Sequence, residues 1–359
     1  MVLSIAMNPL RFSRSDRNFT LVLAALVLAS AAYIRLEYDK AFPQASLKLA
    51  RSRAEITSIA EGFLASQGLR TAGFRQLTVF DPDDDARLYL ERELGLERAN
   101  QLMQREAPVW SWRARWYRPP DKEELVAAIS PDGRVTGFEH VIPEAEAGAR
   151  LTRDQALAIA EKFRQGRSSA DMHLVEDRLE QRPNRNDFVF TWERDGFKAK
   201  DASLRLTVSV QGDHIGHFRE FLHIPEGWQR DFSAMRSRNE MLAAIAEAFW
   251  LPLALAALAL LVQGLRRRRI PWRPVLAISA GIGAMAILSQ LNMIPLLVDA
   301  FPTSSPYLQT LALVILEALG AGVGVFVYIV IPAAAGEPGY RERTGDRLSL
   351  RTLLTPSGL

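Results

Sequence analysis

The stretch "RAEITSIAEGF" runs from Arg53 to Phe63, and "RDQALAIAEKF" runs from Arg153 to Phe163. Ile59-Ala60-Glu61-x-Phe63 thus recurs as Ile159-Ala160-Glu161-x-Phe163. In the first stretch Ile56, Ile59, Ala60, Phe63 and Leu64 fall at i, i+3, i+4, i+7 and i+8, the stripe of an amphipathic helix. Leu157, Ile159, Ala160 and Phe163 make the second stripe, and Thr152 stands where an N-cap belongs.

Two more blocks align behind these helices in the same order. "VWSWRAR" from Val109 matches "VFTWERD" from Val189, and aromatic and β-branched residues alternating with polar ones suit a half-buried strand. "LVAAISPDGRVTGFEHVIPE" from Leu125 matches "LRLTVSVQGDHIGHFREFLHIPE" from Leu204. Each of these reads strand, glycine turn (Gly133, Gly212), strand, then Ile-Pro-Glu; in "SPDG", Pro and Asp preset the bend and Gly permits a positive φ. Three blocks in register predict a duplicated unit of helix, strand and hairpin, spanning 45–146 and 147–230. The first unit carries an extra helical stretch from Asp85 to Glu106. One helix across a small antiparallel sheet buries a compact core, so the expected class is α+β.

Outside this region the composition changes. The formal charge of +3 and the absence of cysteine are averages over a segregated chain. Asn18–Ile34, Ala248–Leu265 and Pro274–Val298 carry no charge, and Ala300–Gly336 contains only Glu317. A helix crossing the hydrocarbon core needs about 20 apolar residues. Four transmembrane helices are therefore expected, at 18–35, 241–265, 273–298 and 308–333, forming an all-α membrane part beside the α+β domain. The first is read as an uncleaved anchor, although Ala29-Ser30-Ala31 has the form of a signal-peptide cleavage site.

Arg11, Arg14 and Arg17 precede the first span, Arg266–Arg269 and Arg273 separate the second and third, and Arg341, Arg343, Arg347 and Arg351 follow the fourth. With four spans all these clusters fall on one side, which the positive-inside rule assigns to the cytoplasm. The N-terminus (1–17) and the tail (337–359) are then cytoplasmic, and residues 36–240 extracytoplasmic. The expected location is a bacterial-type inner membrane, with membrane lipids as partners. The lack of cysteine excludes disulfides.

A helix followed by a small antiparallel sheet ending in "PDGRVTGF" resembles PepSY-type domains of exported bacterial proteins, over about 50–226. That resemblance implies a noncatalytic module that binds or restrains peptides or peptidases. The anchor, the long insert with "DDDARLYLERELG" and "VWSWRARWYRP", the three later spans and the tail "GEPGYRERTGDRLSLRTLLTPSGL" resemble the region upstream of the catalytic domain in CPBP (CAAX-processing and bacteriocin-processing) intramembrane proteases. Catalysis in that family rests on E-E-x-x-x-R and F-x-x-x-H within apolar helices. Here Glu123-Glu124 is followed by Leu-Val-Ala-Ala and lies outside the apolar segments, and no F-x-x-x-H or H-x-x-x-N occurs. The resemblance implies an accessory, substrate-presenting or regulatory portion without its own catalytic residues, partnered by a peptide or a protease catalytic domain. The alternative is a stand-alone membrane sensor or peptide-binding protein.

The remaining polar constellations have modest readings. Trp110, Trp112 and Trp116 with interleaved arginines have the make-up of a nucleic-acid stacking platform, but an exported domain argues for core packing and no nucleic acid. His214, His217 and His223 do not converge as metal ligands require, because strand residues three apart face opposite sides. "DPDDDA" (Asp81–Ala86) lacks the glycine and distal Glu of an EF-hand loop, so Asp81 or Asp83 is expected to cap the next helix. No metal, cofactor or catalytic site is expected. Glu317 stands out, because an ionised acid inside a span costs about 2.5–3.5 kcal/mol on insertion scales. It is expected to pack against Gln290 or Asn292 of the third span, with Gly320 and Gly324 permitting close helix contact; the alternative is a partner helix from another chain. Arg266, Arg267, Arg268 and Arg269 are expected to face lipid head groups and to set orientation.

Overall fold

A computed structural model describes residues 14–42, 47–167, 170–303 and 306–344. Arg11, Arg347 and Arg351 of the basic clusters lie outside the described residues. The two opening helices form as their stripes require. α2 (Arg53–Ser66) and α5 (Arg153–Gln165) each begin with a reciprocal capping box. Ser52 N–H donates to Glu55 at 2.9 Å and Thr152 N–H donates to Gln155 at 2.9 Å, while each hydroxyl accepts from the N3 amide in return. These boxes satisfy two otherwise orphaned donors per helix. α2 buries Ile56, Ala60, Phe63 and Leu64, with Ile59 half-buried. α5 fully buries the small Ala156 and Ala160, while Leu157, Ile159 and Phe163 pack at the core margin.

Eight antiparallel strands form one sheet in the order β1-β2-β3-β4-β8-β7-β6-β5. β1 (Arg75–Phe80), β2 (Trp112–Tyr117), β3 (Glu124–Ile129) and β4 (Val135–Val141) follow α2; β5 (Met172–Gln181), β6 (Asn186–Arg194), β7 (Ser203–Gln211) and β8 (His214–His223) follow α5. Each set is a meander, and the two join where the second strands of the hairpins pair, Phe138 opposite Phe218. Gly133 (φ +100°) and Gly212 (φ +63°) take the positive φ that their turns demand. Residues 45–146 and 147–230 therefore supply four strands each to a continuous layer. α2 and α5 lie on one face of it, over a shared core of Trp112, Trp116, Phe138, Phe190, Trp192 and Phe218. Burying each such side chain is worth roughly 1.5–3 kcal/mol.

Two sequence readings change in detail. Trp112, Ala114 and Trp116 share the helix-covered face, but Trp110 precedes β2 and belongs to a second cluster. The helical stretch expected from Asp85 to Glu106 is made of two helices, α3 (Asp84–Leu94) and α4 (Leu96–Arg105), divided at Gly95 with φ +76°. Asp83 caps α3 by accepting from the Ala86 amide at 3.0 Å, as the acidic run predicts.

Among the described residues four helical stretches are long and apolar enough to cross a membrane: Leu21–Tyr38, Glu226–Arg266, Trp272–Asp299 and Tyr307–Tyr340. The chain is a multi-pass membrane protein on that evidence. The first lies in α1 (Arg14–Ala41), and the second joins α6 (Glu226–Ala248) to α7 (Trp250–Arg266). The charged half of α6 makes a stalk below the sheet. The third is broken: α8 (Trp272–Asn292) stops and α9 (Ile294–Asp299) restarts around Pro295, whose missing N–H cannot continue the ladder. The fourth, α10 (Tyr307–Thr344), runs past the expected end at 333 through Pro332 and Pro338. The α7–α8 turn and the end of α10 lie together, joined by the Arg269–Glu342 ion pair, on the side away from the sheet.

If the two capping boxes act independently, Ser52→Ala and Thr152→Ala each destabilise the sheet domain by about 1 kcal/mol. The double variant loses about the sum. Chemical denaturation of the solubilised chain, followed by tryptophan fluorescence, measures this.

Candidate functional site

With Trp112, Ala114 and Trp116 turned to the helices, alternation puts Arg113, Arg115 and Tyr117 on the opposite face. There Arg115 is 3 % exposed. Its Nε donates to Glu124 on the neighbouring strand β3 at 2.8 Å. Its Nη1 donates to the carbonyls of Val298, at 3.3 Å, and of Asp299, and its Nη2 to that of Phe301 at 2.8 Å. These acceptors lie at the C-terminal end of α9 and just beyond it, where helix carbonyls have no intrahelical partner and a cation is favoured. The second Glu124 oxygen accepts from the Thr303 hydroxyl at 2.8 Å. One buried ion pair thus fastens the connection between the third and fourth spans to the open face of the sheet.

Apolar and aromatic contacts surround this clamp. Tyr117, Val298 and Phe301 are buried together, with Leu77, Ile294 and Tyr307 packed against them. Arg115 lies 4.9 Å from the Tyr117 ring centre and Arg75 lies 4.4 Å from that of Tyr307. Burial pushes the Tyr117 phenol above its ordinary pKa, with Tyr307 adding to the shift. At the border Arg113 faces Asp299 at 3.7 Å.

A second fastening holds the stalk. Tyr89 of α3, buried, accepts from the Asp201 amide at 3.2 Å and packs edge-on against Trp228 of α6, ring centres 5.0 Å apart. Trp228 donates to Glu93 at 2.8 Å and stacks on Phe232. Lys200 also pairs with Glu93, and these two donors hold its carboxyl below the ordinary value. The α3–α4 pair that interrupts the first meander therefore binds the sheet to the base of the second span.

Between the fastenings the open face holds a cavity of about 460 Å³, lined by Asp81, Arg113, Glu139, His217 and Arg219 among others. Arg219 reaches Asp83 at 3.1 Å. Burial pushes His217 below its ordinary pKa; Glu139 opposes the shift and Arg219 adds to it.

The residues singled out in the sequence take other places. Glu317, Gln290 and Asn292 are all exposed on the helix bundle and are not hydrogen-bonded to one another among the described residues. Glu317 does not pack inside against the third span, because the α8–α10 contact falls elsewhere. A Cβ on Gly322 would meet Ile287 at 2.2 Å, and one on Gly283 would meet the Gly322 carbonyl at 2.9 Å. Gly320 and Gly324 face open space, so the close approach uses Gly283 and Gly322 instead. Arg266–Arg269 are exposed at the end of α7, with Arg269 paired to Glu342. Among the described residues no group of acids and histidines is gathered as a metal would need. His214 pairs with Asp213 at 2.6 Å, away from His217 on the open face. Glu123, beside Glu124, pairs with His140 at 3.1 Å. The Glu-Glu dipeptide thus has structural duties.

No family model, curated protein or solved structure matches this chain.

Removing one partner of a buried pair leaves an uncompensated charge, at a cost of about 3–5 kcal/mol. Glu124→Ala is expected to release Thr303 and raise amide exchange across 298–303, while Thr303→Val raises it less. The sign of the His217 effect follows from its depressed pKa. As pH falls through about 6.5, unfolded histidine takes a proton that the folded site resists, so stability drops. His217→Gln should flatten that part of the stability–pH curve, measured by denaturation between pH 7.5 and 5.

Proposed function

We propose that this chain is a membrane-anchored accessory module, substrate-presenting or regulatory, of the kind that accompanies CPBP-type intramembrane proteases. Its sheet domain, built from two PepSY-like repeats, stands outside the cytoplasm of a bacterial-type cell. It holds a peptide near the membrane and reports the occupancy to its spans. The clamp of Arg115 and Glu124 on residues 298–303 carries this reading. A binding face that is rigidly fastened to the link between two spans transmits a change at the face to the packing of those spans. An allosteric element of this kind must have two arrangements that the ligand tells apart. The border pair Arg113–Asp299, shared by the cavity and the docked loop, is where a ligand carboxylate would compete.

The repeat reading draws support from the matched capping boxes and from the mirrored strand order about Phe138 and Phe218. The orientation draws support from Arg266–Arg269 lying on the side of the bundle away from the sheet. The open face offers polar and charged side chains for a ligand without a nucleophile–base pair, which favours holding over cutting. The stand-alone sensor shares the same clamp and differs only in needing no protease.

The test uses the full chain in lipid nanodiscs. Peptides that bind the sheet domain should change hydrogen exchange at 298–303, and Arg115→Met should abolish that response while sparing peptide affinity. Binding with no change at 298–303 would sink the reading, as would peptide hydrolysis by the purified chain alone. Because the chain has no cysteine, Asp195→Cys reports topology cleanly. It should label from outside intact cells with an impermeant maleimide.

A further inference from the structure

α2 and α5 pack chiefly on the sheet and little on each other, which leaves a gap between them on the helix-covered face. Arg167, just past the end of α5, lies across the bottom of that gap. Its guanidinium stands 4.5 Å from the ring centre of Phe63, 4.6 Å from that of Phe218 and 5.1 Å from that of Phe163. Glu220, the acid whose charge reaches it, is already paired with Arg134. The Arg167 side chain makes no hydrogen bond or ion pair among the described residues. Burial lowers its pKa, yet a guanidinium stays cationic at physiological pH. Ring faces attract the charge, but the N–H fork still calls for oxygen acceptors.

Above Arg167 opens a cleft of about 700 Å³, lined by Gln67, Ile159, Lys162, Phe163, Gly166 and Arg167, with no acid among them. Ile159 and Phe163, four apart on α5, form one apolar wall. Lys162 is exposed, and its side chain is also unpaired among the described residues. We propose that this cleft binds the C-terminal residue of a peptide. The Arg167 fork takes the free carboxylate through two parallel N–H···O bonds, and Lys162 adds a second positive charge. An apolar last side chain lies against Ile159 and Phe163. The chemistry selects that ligand. At a chain terminus the carboxylate and the side chain branch from one carbon, as a cation beside an apolar wall requires. Phosphate has no apolar part, and a long acyl chain would outrun a wall two residues long. The cleft is on the face opposite the Arg115 clamp and does not depend on the reading of the open face.

The test uses the full chain in lipid nanodiscs. The probes are tripeptides ending in Leu, Phe or Val with a free carboxylate, the same tripeptides as C-terminal amides, decanoate, and inorganic phosphate. Titration calorimetry should show saturable binding of the free acids, with the amides about tenfold weaker, and hydrogen exchange should slow across 159–167. Arg167→Met, which keeps an apolar chain over the rings, should cut affinity about tenfold, and Lys162→Gln about threefold. Unchanged denaturation of the sheet domain shows that both variants fold; if Arg167→Met lowers it, the exposed Lys162→Gln decides. Protection at 159–167 with silence at 298–303 would count against the proposed function and leave this site standing. The site is overturned if the amides, decanoate or phosphate bind as tightly as the free acids. It is overturned equally if both variants leave affinity unchanged, or if no free acid binds at millimolar concentration.

Discussion

A single arginine organises the relation between the two halves of this molecule. Arg115 is almost wholly removed from solvent, and a buried guanidinium is tolerable only when its charge and its donors are answered. Glu124 answers the charge, and the carbonyls of Val298, Asp299 and Phe301 answer the donors. Those carbonyls lie where the short α9 ends, so no further helical turn takes them up, although that of Val298 also accepts from the Phe301 amide. The break in the span and the arginine on the strand are complementary defects. Each would be costly alone, and together they make the sheet and the helices one mechanical unit.

The sheet that carries Arg115 owes its open face to the way two meanders join. Pairing β4 with β8 places Phe138 and Phe218 side by side under both covering helices, so one core serves eight strands. Arg167 lies over the rings of Phe63, Phe163 and Phe218, closing the gap between the helices. With Trp112, Trp116, Phe138, Phe190 and Phe218 turned to that face, the other carries Arg113, Glu139, His217 and Arg219 beside the apolar patch of Tyr117 and Leu77. The α3–α4 pair closes one end of this open face and reaches down to Trp228. The cavity there is lined by Arg113, which faces Asp299 beside the clamp, and by Asp83, which caps α3.

The match between sequence and structure is uneven for physical reasons. The helix stripes, Thr152 as a cap, the turn glycines and the four apolar stretches were legible because each depends on neighbours within a few residues. Trp110 packs in a different cluster from Trp112 and Trp116 because β2 begins only at Trp112. The helical stretch after Asp85 divides at Gly95, whose positive φ no local pattern announces. GxxxG spacing marks Gly320 and Gly324, whereas the α8–α10 contact uses Gly322 and Gly283, because spacing along one helix does not say which face meets a neighbour. Nothing local marks Arg115 and Glu124 as a clamp. Alternation in "WRARWY" already sends the arginines away from the core, yet their partners lie about 180 positions along the chain.

The sequence by itself determined where the chain turns, which faces are apolar, and how many stretches are long enough for a membrane, because those are local sums of propensity and hydropathy. Only the tertiary structure decided that the two units share one sheet, that the span connection docks on its open face, and that Glu317 looks outward. Those outcomes depend on which distant surfaces satisfy one another's buried charges and hydrogen bonds, and no periodicity along a chain records that.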